Sequence, residues 1–171
     1  MSGSDEARTS LAAVAALLAP AHEAVAARAL HAHDDPAGYV RDHAAALEDR
    51  GIDEPLPDLA WIALVDALAE HRLLAELDWK EDSEEIRSRL RGLASRPSVD
   101  PWVLVGADDM LLPTHEFLEA CGRRYRDVGA ALAVLDIDSD CYPVVCLRAA
   151  RMKELAALAA RAGFTARGFG A

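Results

Sequence analysis

The stretch Gly129–Arg148, GAALAVLDIDSDCYPVVCLR, constrains the fold more than any other part of the chain. Leu132–Ile137 and Val144–Leu147 are rich in branched apolar residues, which suit a pleated, buried surface. Asp138, Ser139 and Asp140 between them favour turns, because their short polar side chains bond their own backbone. The stretch therefore reads as a β-hairpin. Pro143 has no amide hydrogen, so its strand is expected to begin there or to lie at an edge. Ala149–Ala162 follows as a helix with Met152, Leu155 and Ala159 inward and Gly163 as its C-cap. Phe164–Phe169 is expected to add a last short strand.

Upstream, the spacing is mostly helical. Residues 1–9 are polar and expected to fray. Ser10 is expected to cap a helix from Leu11 that Pro20 breaks or kinks. A second run covers Ala21–His31. Asp35-Pro36 reads as an N-cap and first helical residue for a helix carrying Tyr39, Val40, His43, Ala44 and Leu47, closed by Gly51. Trp61, Leu64, Val65 and Leu68 line one face of the next helix, while Asp66, Glu70 and Arg72 face away. Leu73–Asp78 is too short for a typical helix and reads as a strand. Asp82 and Glu85 have capping-box spacing for a helix to about Leu93. Trp102–Val105 fits a strand or a helical turn. Thr114 is expected to cap a helix to about Val128, with Phe117, Leu118, Cys121 and Tyr125 buried.

The order helix, strand, strand, helix, strand near the end predicts an α+β chain rather than a doubly wound parallel sheet. The expected architecture is one domain over residues 1–171. A mostly helical part at 10–50 packs on a small, largely antiparallel sheet within a 57–169 core, which ends in a β-hairpin–helix–strand.

The formal net charge of −11 argues against nucleic acid as a partner, since that affinity comes mainly from Lys and Arg displacing counterions. It suits a basic protein partner or a divalent cation, or serves solubility alone. Cys121, Cys141 and Cys146 match neither a redox pair nor a zinc knuckle, and free thiols fit a reducing cytoplasm. The apolar run Leu11–Ala19 is preceded by Asp5 and Glu6, whereas an export signal wants a positive flank. No run approaches the ~20 apolar residues that span a bilayer. The alanine-rich N-terminal helices could present a homodimer surface.

Three constellations could carry chemistry. Asp136, Asp138 and Asp140 alternate at a strand end and could converge on a hard cation. They fail the calcium-loop pattern: Cys141 stands where glycine is needed and Leu147 where a bidentate glutamate belongs. The Asp-x-Asp strand end is similar to the nucleophile motif of haloacid dehalogenase-type phosphatases. That family expects threonine or valine at Asp140, and only 31 residues follow that position. Asp78-Trp79-Lys80 follows a predicted strand and could share a sheet end with the acidic turn and Tyr142. His31, His33, Asp34 and Asp35 are ligand types, but they lie in a helix-to-helix loop where aspartates cap. No nucleophile elbow, glycine-rich phosphate loop or HExxH helix is present.

Leu59–Asp82 (LAWIALVDALAEHRLLAELDWKED) and Ala131–Leu147 (ALAVLDIDSDCYPVVCL), with the terminal helix, resemble an uncharacterised bacterial family, the domain of unknown function 6630 family. The resemblance covers Pro57 to Gly163. It implies that the DWK and DSD-x-Y segments go together, and it supplies no activity.

The leading expectation is a non-enzymatic binding or regulatory domain that engages another protein, with no cofactor, through Asp78, Trp79, Lys80, Asp138, Asp140 and Tyr142. The alternative is a divalent-metal hydrolase built on Asp136, Asp138 and Asp140, with Asp78 as a further carboxylate.

Overall fold

Leu74–Asp78 forms strand β1, as the length of that apolar run predicts. Ala130–Asp136 and Cys141–Arg148 form β2 and β3, the expected hairpin, and Thr165–Gly168 forms β4. The computed structural model describes residues 2–171, and its four strands make one sheet in the order β1-β3-β2-β4 with every neighbouring pair antiparallel. The chain is α+β.

Eight α-helices accompany the sheet among the described residues. They are α1 (Gly3–Leu18), α2 (Glu23–Asp34), α3 (Pro36–Asp42), α4 (Ala44–Glu48), α5 (Leu59–Glu70), α6 (Ser83–Arg91), α7 (Thr114–Asp127) and α8 (Met152–Arg161). Side chains alternate across a strand, so one face of the sheet carries Leu74, Ala131, Ala133 and Val145 and the other Ala75, Leu132, Val134 and Val144. The first set packs with α1, α2, α5 and α8. The second packs with Ile86 and Leu90 of α6, Phe117 and Cys121 of α7, and Trp102. β2 is buried on both faces over Ala130–Leu135, which is why it reads as a continuous apolar run.

The crossover rule explains this division. β1 to β2 and β3 to β4 are both parallel connections that skip one strand in the same direction across the sheet. β1 and β3 run oppositely, so two right-handed crossovers must place their helices on opposite faces. α6 and α7 accordingly cover one face, and α8 covers the other.

Several local expectations are corrected. α1 begins at Gly3, not Leu11: the Ser2 hydroxyl accepts from the Asp5 amide at 3.3 Å, and Asp5 and Glu6 favour the positive end of the helix. Arg8 pairs with Asp34 of α2 at 3.0 Å, and Ser10 is buried inside the helix. The helix after Pro36 divides at His43, whose ring stacks on Tyr39 at 4.3 Å. α5 is not half-exposed. It is buried all round from Leu59 to Leu68 except at Asp66, and Trp61 stacks on Phe164 at 4.9 Å. The apolar stripes of α1 and α2 lie in this same core.

Residues 101–104 settle the open choice as a 3-10 turn. The Asp100 carboxylate accepts from the Trp102 amide at 3.0 Å, and the Trp102 indole donates to the Tyr125 hydroxyl at 3.2 Å. Thr114 does not cap α7; its hydroxyl donates to the Glu81 carbonyl at 2.9 Å. Pro143 lies inside a central strand, but the pairing with β2 stops at Val144, so only β1 flanks it. It stands opposite Glu76, whose carbonyl takes a hydrogen bond from Arg89 at 2.6 Å.

Candidate functional site

The register brings the two expected segments together. Asp78 at the end of β1 pairs with Cys141 at the start of β3, so Asp78-Trp79-Lys80 and the acidic turn share one end of the sheet. Asp136 accepts the Asp138 amide at 2.8 Å, Asp138 sits at φ 58°, and Ser139 accepts the Cys141 amide at 3.2 Å. These are the side-chain bonds of a tight turn. Among the described residues, no three His, Cys, Asp or Glu side chains stand where they could share a metal ion. Trp79 is 52% exposed, and the Lys80 ammonium lies 4.5 Å from its ring centre. Asp78 accepts the Lys80 amide at 3.1 Å.

The pleat separates some of these residues. Tyr142 stands opposite Leu77 and turns to the α7 face, near Phe169 and His115. Asp138 and Cys141 open instead on the α5 side, where they help line a groove of about 750 Å³. His31 bonds Asp42 at 3.1 Å, while Asp34 pairs with Arg8 and Asp35 caps α3.

The groove is built on an ion triad that periodicity did not reveal. Arg50, just after α4, donates to Asp66 of α5 at 2.7 and 3.1 Å and to Glu76 of β1 at 3.0 Å. One guanidinium fork thus fastens the central helix to the sheet edge. Burial works against its charge, yet the bonds to Glu76 and Asp66 outweigh burial and raise its pKa above the ordinary arginine value. Asp66 Oδ2 is left buried with no partner among the described residues. Beside the triad, Arg28 pairs with Glu70 at 2.7 Å and donates to the Tyr39 hydroxyl at 3.0 Å. The signal for the triad was present: Asp66 and Glu76 are single carboxylates inside otherwise apolar runs, which rarely bury a charge without a partner.

The groove also carries Asp49, Asp58 and Asp138 and an apolar lining that includes Ile52, Leu56, Ile62 and Ile137. Six carboxylates thus face two arginines, a surplus of four negative charges over an apolar floor.

The thiols allow a direct check of this placement. Burial pushes Cys121 and Cys146 up to about 12, and half-buried Cys141 is also raised, first by burial and then by Glu76 and Asp78. At pH 8 a disulfide reagent should titrate one thiol slowly in the native protein and three in urea, because the thiolate is the reactive form. Fast reaction of two or more native thiols would contradict the burial.

No helix among the described residues is long and apolar enough to cross a membrane. No curated protein and no solved structure matches the chain. The model of one protein family, described as a domain of unknown function (DUF6630), matches residues 10–169. That span takes in α2 to α8, the sheet and most of α1, so the N-terminal helices left outside the expected Pro57–Gly163 resemblance lie within the match. The chain belongs to the DUF6630 family.

Proposed function

We propose that this chain is a binding domain that engages a basic segment of another protein through the groove between α5 and the hairpin turn. The observation that supports it is the surplus of carboxylates over an apolar floor, since such a surface favours a cationic side chain flanked by apolar ones. Arg50 and Arg28 already hold Asp66, Glu76 and Glu70, so Asp49, Asp58 and Asp138 are left to meet the partner. Trp79 follows the residue paired with Cys141 on the groove wall, and its exposed ring adds an aromatic contact of the kind enriched at interfaces. Asp140 at the turn adds to the negative field.

Nucleic acid fits this reading poorly, because phosphate would meet a protein of net charge −11. The cytoplasm suits it as a compartment, since three free thiols persist in reducing surroundings. The hydrolase alternative has no observation in its favour.

The test is titration with a short peptide of alternating arginine and leucine, followed by backbone NMR. Shifts should cluster at Ile52, Leu56, Ile62 and Ile137 and weaken steeply with added salt. Asp49→Asn/Asp58→Asn/Asp138→Asn should weaken binding by at least about tenfold, an expected loss of roughly 1.4 kcal/mol. Shifts spread evenly over the acidic surface, or an unchanged affinity in the triple variant, would sink the reading.

A further inference from the structure

The opposite end of the sheet has the opposite character. Where β2 begins and β3 ends, a cavity of about 640 Å³ opens between the α1–α2 junction and the loop after α6. Arg96, Arg148 and Arg151 line it, together with Ser95 and Ser98, and no Asp or Glu does. That is notable on a chain with 29 acidic and 18 basic residues. Arg148 makes no ion pair among the described residues. Arg96 gives one N–H to the Leu93 carbonyl at 3.0 Å and Arg151 one to Glu154 at 2.6 Å, which leaves the rest of each fork open. The Ser95 hydroxyl is buried at the wall with no partner, a state that costs on its own and that a bound acceptor would relieve. His22, stacked on His71, also lines the cavity, and most of the remainder is apolar, from Leu17, Leu73 and Leu147 among others.

We infer that this cavity binds a small molecule with an oxyanion head, phosphate or carboxylate, on an apolar body. Guanidinium forks match planar and tetrahedral oxyanions through paired hydrogen bonds. No carboxylate lines the cavity itself, so Arg96 and Arg148 meet no competitor there, while Arg151 is shared with Glu154 outside the lining. The volume falls in the range of small-molecule sites. The site is separate from the acidic groove, and the two readings stand or fall independently.

The probes are inorganic phosphate, phenyl phosphate and benzoate, each titrated calorimetrically against sodium chloride at matched ionic strength. Phenyl phosphate should bind about tenfold more tightly than inorganic phosphate, because its ring reaches the leucines. Arg148→Gln and Arg96→Gln, both at exposed positions, should each weaken phenyl phosphate about tenfold while leaving the melting temperature of the free protein unchanged. Benzoate binding comparably to phenyl phosphate would make the head a general oxyanion, and benzoate failing would make it a phosphate. Equal heats from sodium chloride, equal affinity for phosphate with and without the ring, or indifference to both substitutions would overturn the assignment.

Discussion

Arg50→Met is expected to destabilise the protein by about 3 kcal/mol, the lower end of what breaking a buried ion pair costs. The Asp66 and Glu76 side chains are only 15% and 23% exposed, and each takes its strong hydrogen bonds from this one guanidinium. Removing it leaves two carboxylates facing each other with no cation between them. The partial exposure of Glu76 lets water return and keeps the loss from being larger. Urea unfolding should show a lower midpoint with an unchanged slope, the signature of lost stability rather than altered compactness. Arg50→Lys should fall between, because an ammonium is a point charge and cannot fork two carboxylates at once. Combining Arg50→Met with Asp66→Asn and Glu76→Gln should recover most of the loss, since the uncompensated charge is then gone. An Arg50→Met protein within about 1 kcal/mol of wild type would mean that water solvates both carboxylates and that the triad does not brace α5 against the sheet.

Gly122→Ala should destabilise by about 2 kcal/mol, against the direction that helix propensity alone gives. Gly122 lies inside α7, where glycine is worth about 1 kcal/mol less than alanine. A methyl group there, however, would overlap the Phe169 carbonyl oxygen and sit 2.5 Å from its carbon. Those are backbone atoms of a fully buried residue, and they cannot swing aside as a flexible side chain would. Gly170, at φ 73°, makes the reciprocal approach: a methyl on it would overlap the Arg123 amide nitrogen and lie 2.7 Å from the Gly122 carbonyl carbon. The chain after β4 is thus pressed against α7, held also by the Glu119 carboxylate accepting the Gly170 amide at 2.7 Å. Overpacking at such a seam typically costs about 1–3 kcal/mol beyond any local gain. A thermal melt decides the sign: a raised melting temperature for Gly122→Ala would show that the C-terminal residues are not packed there.

Both predictions rest on contacts between elements far apart in the chain, and this marks the limit of what was legible beforehand. The hairpin, the helix–strand order and the caps at Asp35 and Asp82 were readable because they depend on neighbours a few residues away. Gly129 and Gly163 closed α7 and α8 for the same reason, with φ values of 83° and 91°. The start of α1 was missed because Ser2, rather than Ser10, offers the free first-turn hydroxyl, and two caps eight residues apart look alike in a linear string. The periodicity of α5 misled because a helix covered on every side has no polar face to reveal, so Asp66 was assigned to solvent. That Asp78-Trp79-Lys80 shares a sheet end with the acidic turn was an expectation, and the β1–β3 register, with Asp78 opposite Cys141, gives the pairing behind it.

The amino-acid sequence by itself determined the class of this protein: alternating and continuous apolar runs, turn residues and caps act locally, and they specify an α+β chain with a hairpin near its end. Only the tertiary structure decided which charges are buried together. The β1-β3-β2-β4 order places Glu76 of the edge strand beside Asp66 of the central helix, and Arg50 arrives from a distant loop. The same order puts the carboxylate-rich groove at one end of the sheet and the arginine-lined cavity at the other. Charge interactions act through space, so their pattern becomes visible only when the chain has been folded around them.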